Sequence, residues 1–379
     1  MAVSYDVARE ILVRVKDPIT LFRCATACKG WCSLLVADHS FLRRCLREEA
    51  CGSPPLPGFF TKLWPPVGPP APCFVPAPGV LGPGRRFLSS FFPNLRHAGL
   101  FDYAVPLTSR HGLLLVRLDL HRAGVDHTDP SGVLLAVCDP LAGTLHELPR
   151  LEHHWNFEHK DEVGGCALLS DVDCSSSNHG DKDGLQQPRS RFFKIQDIYG
   201  SYTRSNTAML RQHNAVVSGG AAHWLLWGAT GTHTLDVSAE TSDVSTTHVT
   251  SYDFHHEAPY LSVCGEGKLM VLSLRKDGHN LEIWTSHDTG RSFQASKLWF
   301  LEPWPMGTVY TCLGEKLGMM LVKDNDRNVY IADLKRGEID EVTDWPRSNG
   351  LSRRKTVPLE IDWAGFFTSR LAAFANKCD

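Results

Sequence analysis

The sequence has no apolar run long enough to cross a bilayer. Stretches such as GLLLV at 112–116 and GVLLAVC at 132–138 fall far short of the roughly 20 residues a spanning helix needs. Nor is there an excess of charge of one sign. Lys and Arg number 39 against 42 Asp and Glu, for a net charge of -3. The basic residues are scattered, so the footprint of a protein that neutralises many phosphates is missing; RRK at 353–355 is too short to change that. The opening MAVSYDVARE holds no apolar core of secretory-signal length. The expectation is a soluble protein, cytoplasmic and/or nuclear, whose partners include neither nucleic acid nor membrane. Signatures of chemistry are missing as well: there is no HExxH, no CxxC pair, no GxxxxGK and no GxSxG. No cofactor, no metal site and no catalytic residue is therefore expected.

What the sequence does have is apolar substance and thiols. Apolar residues make up 42% and charged residues 21% of 379, the balance of a globular protein. Its 12 cysteines are dispersed along the chain. In a reducing compartment they remain thiols, mostly small buried apolar groups. Cys24, Cys28 and Cys32 recur every four residues in LFRCATACKGWCSLL, which predicts a stripe on one helical face. No histidine or acid nearby completes a tetrahedral metal set. The 18 histidines include the neighbours His153 and His154, and His255 and His256. On a strand such neighbours point to opposite faces, so surface or loop positions are expected.

Three zones follow along the chain. Residues 1–50 read as helices. Val7, Ile11, Leu12 and Val15 fall at helical spacing, with Asp6 as a candidate cap. The Asp17–Pro18 step ends that helix and starts a second, which runs to about Ala37. Asp38 precedes a third pattern, Phe41, Leu42, Cys45 and Leu46. Residues 51–86 form a proline-rich linker: 11 of the 23 prolines lie within 52–84, so a stiff spacer without regular structure is expected. Phe59, Phe60, Leu63 and Trp64 predict that part of it lies pinned on a neighbouring domain.

Residues 87–379 are dominated by short strand-like runs between turn residues. A loose repeat emerges from 111–149, 219–249, 261–298 and 312–345, with a fifth unit around GCALLSDVDC and RFFKIQDIY if the polar insert at 175–191 is a surface loop. About four strands per unit is the content of a propeller blade. In the first unit Asp139 and Gly143 flank a turn. The aromatics Trp224, Trp227, Trp284, Trp299 and Trp304 read as blade core. SHDTGRSF at 286–293 matches the Asp-box pattern of sialidase-like propellers, a structural turn in which the closing aromatic plugs into the sheet. The fold class is thus α+β multidomain: a small N-terminal helical domain followed by a mainly β, degenerate β-propeller-like domain.

The run DVAREILVRVKDPITLFRCATACKGWCSLLVADHSFLRR resembles an F-box. Its marks are EILVR at 10–14, DPxxL at 17–21, CKxW at 28–31 and ADxxFLRR at 37–44. Lys16 stands where such modules often carry proline, and Ala27 where valine is frequent. The remainder resembles the associated region of plant F-box proteins, particularly those of grasses, in PPLPGFF, CDPLAGTLHELP, GGAAHWLL, TLDVSAETSDVSTT and EIDWAGFFTSRL.

The resemblance implies a non-catalytic substrate-receptor subunit of an SCF-type cullin-RING E3 ubiquitin ligase. The F-box would dock the Skp-family adaptor, and the C-terminal β domain would recruit a target protein whose identity the sequence does not give. It carries Val7, Ile11, Leu12, Pro18, Leu21, Cys28 and Trp31 over as docking or supporting positions, with Trp31 as the foremost anchor. A domain of this size cannot bury a full core alone, which leaves an apolar face for a partner. Two other readings stand beside it: a sialidase-like propeller hydrolase, for which several Asp-boxes would be expected, and a scaffold that binds the adaptor without delivering a target for degradation.

Overall fold

The computed structural model describes residues 4–15, 18–46, 57–62, 71–77, 86–92, 98–118, 134–149, 166–169, 191–194, 207–209, 215–228, 231–238, 241, 243–250, 259–264, 267–274, 280–287, 293–300, 311–316, 318–326, 328–334, 337–342, 356–361, 363, 367, 368, 370 and 371. Four helices come first: α1 (Tyr5–Arg14), α2 (Pro18–Ala27), α3 (Lys29–Ala37) and α4 (His39–Leu46). The cap of α1 is Ser4, whose Oγ accepts the Val7 N–H at 3.4 Å. Asp6, the expected cap, lies instead in the first turn, where its charge complements the helix dipole. Helix α2 begins at Pro18 as the Asp–Pro step predicts, and Asp17 lies outside the described residues.

The expected second helix is in fact two. Cys28 has extended backbone (φ -144°, ψ 122°) and separates α2 from α3. Just before it, the Thr26 hydroxyl donates to the Phe22 and Arg23 carbonyls at 3.1 Å, a local bond that competes with the helical ladder. Gly30, a poor helix former, sits just after the break. The Cys28 carbonyl then accepts the Cys32 N–H at 2.9 Å and starts α3. Asp38 caps α4 as expected: its Oδ1 accepts the Phe41 N–H at 2.8 Å.

After the helices the protein is a propeller of antiparallel sheets. Its strands in chain order are β1 (Gly58–Lys62), β2 (Pro72–Pro76), β3 (Arg86–Phe87), β4 (Val105–Arg110), β5 (Leu113–Leu118), β6 (Leu134–Asp139), β7 (Thr144–Glu147), β8 (Cys166–Leu169), β9 (Arg191–Lys194), β10 (Thr207–Met209), β11 (Val216–Ser218) and β12 (Ala221–Gly228). There follow β13 (Gly231–Ser238), β14 (Val244–Thr250), β15 (Tyr260–Val263), β16 (Leu269–Leu274), β17 (Asn280–Ser286), β18 (Phe293–Phe300), β19 (Thr311–Lys316), β20 (Met319–Lys323), β21 (Val329–Asp333), β22 (Glu338–Glu341) and β23 (Thr356–Leu359). Five sheets of four or five strands make the blades: β23-β1-β2-β3, β4 to β7, β10 to β14, β15 to β18 and β19 to β22. The two-stranded sheet β8-β9 lies between the second and third of these, with β8 against β4 and β11.

Cores form between neighbouring sheets. Along β5 and β6, Leu114, Val116, Ala136 and Cys138 pack toward the first sheet, while Leu115, Leu135 and Val137 pack toward β8. Both faces of a blade are thus covered, which is why these strands read as continuous apolar runs rather than alternating ones. The four sequence units anticipated from 111 onward fall on the four complete sheets after the first, and the fifth falls on β8-β9.

The proline-rich stretch departs from its expectation as a spacer without regular structure. It contributes β1 and β2 to the first blade. Prolines 72 and 76 stand at the two ends of β2, where a missing donor costs the ladder least. Phe59 and Phe60 are buried on opposite faces of β1, in the cores shared with the fifth and second sheets; Leu63 and Trp64 lie outside the described residues. The inner strand of this blade is β23, which pairs with β1 in the register Phe60↔Val357. Strands from the two ends of the chain thereby close the ring.

The described residues between 363 and 371 are helical. Trp363, Phe367 and Leu371 join Ala8, Leu12, Leu21, Ala25, Cys32, Leu34, Leu35, Phe41 and Leu42 in one helical core.

Candidate docking surface

Helix α1 has two unlike faces. Ala8 and Leu12, one turn apart, are buried in the helical core, Leu12 completely. Val7 and Ile11, also one turn apart, face outward with 51% and 40% of their surface accessible, and Tyr5 and Val13 are exposed as well. Four large apolar side chains on a ten-residue helix leave a surface that a solitary domain gains nothing by showing to water.

This face is held firmly. The Arg9 guanidinium donates to Asp38 Oδ2 at 2.9 Å and lies 4.4 Å from the Phe41 ring centroid. Because Asp38 also caps α4, one carboxylate ties α1 to the start of α4. Arg44 stands 5.4 Å from the same ring centroid, so two cations lie within cation–π range of Phe41.

The residues singled out as docking positions separate into two groups. Val7, Ile11 and Cys28 are exposed, and Trp31 is half-buried against the helical core. Leu12 and Leu21 are fully buried; they hold the helices to one another and offer no surface to a partner. Pro18 begins α2, and its side chain lies outside the described residues. The cysteine stripe is broken for the same reason that the helix is: Cys28 stands in the link between α2 and α3, Cys24 is half-buried and Cys32 is buried.

Cysteine chemistry is suppressed where burial is deep. Desolvation pushes the Cys45 thiol up to about 11 and that of Cys138 up to about 12, so neither forms a nucleophilic thiolate near neutral pH. Among the described residues no three His, Cys, Asp or Glu side chains are placed to hold a metal ion. His153, His154, His255 and His256 lie outside the described residues, as do 288–292 of the Asp-box and 175–190 of the polar insert. Ser286 and Phe293, at the two ends of the Asp-box, pair across the β17-β18 hairpin, with Phe293 half-buried against the blade core. Trp224 and Trp284 are blade core, whereas Trp304 and the side chains of Trp227 and Trp299 lie outside the described residues.

Polar contacts missed by sequence reasoning join the blades at the hairpin ends of their inner strands. Ser109 Oγ donates to the Pro358 carbonyl at 2.5 Å and accepts the Glu360 N–H at 3.1 Å. The Gly112 N–H donates to the Glu360 carbonyl at 2.9 Å, and Lys316 pairs with the Glu360 carboxylate at 2.8 Å. Ser218 Oγ donates to the Gly267 carbonyl at 2.5 Å. Burial holds the Glu315 carboxyl above the ordinary glutamate range, against the opposing pull of the Ser262 hydroxyl and the Gly318 N–H. Isolated serines and acids near glycines carry no periodic signal, so only the closed ring reveals these contacts. On the third sheet His223 and Asp236, opposite each other on β12 and β13, meet at 2.6 Å, and the other ring nitrogen lies 3.1 Å from the Ser218 carbonyl. With both nitrogens engaged, this histidine acts as a clip within its blade.

No protein-family model and no curated protein matches the sequence. Among solved structures, one described as a prolyl endopeptidase is similar at 9% identity and a TM-score of 0.34, over 89% of this chain and 53% of that one. The chain thus spans about half the length of the structure it matches.

Proposed function

We propose that this protein is the substrate-receptor subunit of an SCF-type cullin-RING E3 ubiquitin ligase. The helical region docks the Skp-family adaptor, and the propeller recruits the target protein. Other subunits transfer ubiquitin, so this chain supplies binding surfaces and no reacting group. The observation that supports the reading is the outward face of α1, where Val7 and Ile11 stand exposed one turn apart in the part of the chain that resembles an F-box. An amphipathic helix whose second face is also apolar is suited to pack on a partner. The burial of Leu12 and Leu21 narrows the docking set to Val7, Ile11, Pro18, Cys28 and Trp31.

The test is co-purification of the adaptor with the full chain. Val7→Asp/Ile11→Asp should reduce retained adaptor at least about tenfold, since placing charge in an apolar interface costs well over 1.4 kcal/mol, and should leave thermal unfolding unchanged. Leu12→Asp, by contrast, should unfold the helices and serves as the folding control. Equal retention by the native and double-substituted chains, or no retention by the native chain, would overturn the reading.

A further inference from the structure

We propose that Glu360, Ile361, Trp363, Phe367 and Leu371 form an intramolecular clasp that makes the folding of the N-terminal helices, and with it their docking competence, conditional on closure of the propeller. The docking part of this proposal rests on the function proposed above; the folding part does not.

The geometry is continuous along a few residues. Glu360, directly after the closing strand β23, is fixed from three sides: its N–H to Ser109 of β4, its carbonyl to Gly112 in the β4-β5 turn, and its carboxylate to Lys316 of β19. Ile361 then packs against both the core between the first and second sheets and the helical core. Beyond it, Trp363, Phe367 and Leu371 recur at four-residue spacing, and all three are buried in the helical core. The Phe367 and Phe22 rings, the latter on α2, meet nearly perpendicular at 5.4 Å between centroids, and the Cys32 thiol on α3 lies 3.9 Å from the Leu371 carbonyl. The segment thus fills the space beside α2 and α3, while Val7 and Ile11 of α1 remain exposed on their own face.

A helical region of about 45 residues has too little core to be stable alone. Here the missing apolar area comes from the far end of the same chain, and it is in position only after β23 has entered the first blade. An incompletely closed propeller would therefore present loosened helices, and the adaptor would be offered only by a chain whose target-binding domain is complete.

The experiment is amide hydrogen exchange on the full chain, comparing native protein with Phe367→Asp and the milder Phe367→Ala. Exchange in α2 and α3 should accelerate at least about tenfold while β5, β6, β20 and β21 keep their protection, because local opening is governed by the contacts of each cooperative unit. Unchanged exchange in α2 and α3 in both variants would overturn the clasp, as would equal loss of protection in the propeller strands. Should Phe367→Asp fail to fold, Phe367→Ala decides. In the adaptor co-purification, Phe367→Asp should lose retention despite intact Val7 and Ile11. Retention equal to native would overturn the coupling and leave the docking reading standing. A native chain that binds no adaptor would overturn the docking part alone, with the exchange result still deciding the clasp.

Discussion

Glu315 on β19 is buried, with Oε1 accepting the Gly318 N–H at 2.8 Å and Oε2 without a hydrogen-bond partner among the described residues. Desolvation raises its pKa above the ordinary value of 4.5, and Glu360 adds to the rise while Lys316 opposes it. Below the ordinary value the carboxyl is protonated whether the chain is folded or unfolded, so no linked cost exists. As pH rises, the unfolded chain ionises first, and stability falls until the folded group also ionises. Glu315→Gln keeps the size and removes the charge. The variant should match native at acid pH and unfold at a higher temperature once pH has risen through the ionisation of the buried carboxyl; thermal unfolding compared at acid and neutral pH reads it. Gly58 makes a steric rather than an electrostatic case. A Cβ there would overlap the Val75 carbonyl oxygen and crowd Phe74 and Pro76 on the paired strand β2. Gly58→Ala should cost more than about 2 kcal/mol, the scale of forced overpacking, measurable by denaturant unfolding. Neither position is conspicuous in the sequence, because what matters at each is what another strand brings to it.

At the scale of elements, Asp38 joins a cap to a tether. Asp38→Ala should remove the hydrogen bond to the Phe41 N–H, worth about 1–2 kcal/mol. The bond to Arg9 adds a smaller amount, since both side chains are 30% exposed and water screens the pair. Thermal unfolding should show the loss, with faster amide exchange at the start of α4. This cap was legible: an acid before an apolar helical pattern has one local meaning. So was the Asp139–Gly143 turn, where Asp139 Oδ1 accepts the Leu141 and Ala142 N–H groups and Gly143 takes a φ of 69°. The same spacing returns at Asp333 and Gly337, with a φ of 72°, and in both turns the glycine N–H donates to the aspartate carbonyl at 2.8 Å. The cysteine stripe was misread because its spacing presumes an unbroken helix, and the Thr26 back-bonds and Gly30 that accompany the break are weak signals. The docking set divided for a related reason. Helical spacing places Val7, Ile11 and Leu12 on one broad stripe, and only the packing of α4 against α1 determines that Leu12 goes inward.

For the whole molecule the decisive element is β23. The blades after the first were legible because each is a local meander. The first blade was not, since its inner strand lies about 300 residues from its neighbour β1, and the prolines of the intervening β2 argued for a spacer. The same separation hid the helical role of Trp363, Phe367 and Leu371. A substitution within the closing strand should therefore differ from one beyond it. Leu359 is buried in the core between the first and second sheets, and Leu359→Ala should cost about 2–5 kcal/mol through lost burial and the cavity left behind. Because β23 both closes the ring and positions Glu360 and Ile361, protection should fall in the propeller and the helices together, seen by amide exchange in β5, β6 and α2 of the same sample. Phe367→Ala should affect the helices alone. If Leu359→Ala loosened the blades and left α2 fully protected, the helices would be stable without a closed ring, and the two ends of the chain would meet in space without depending on one another.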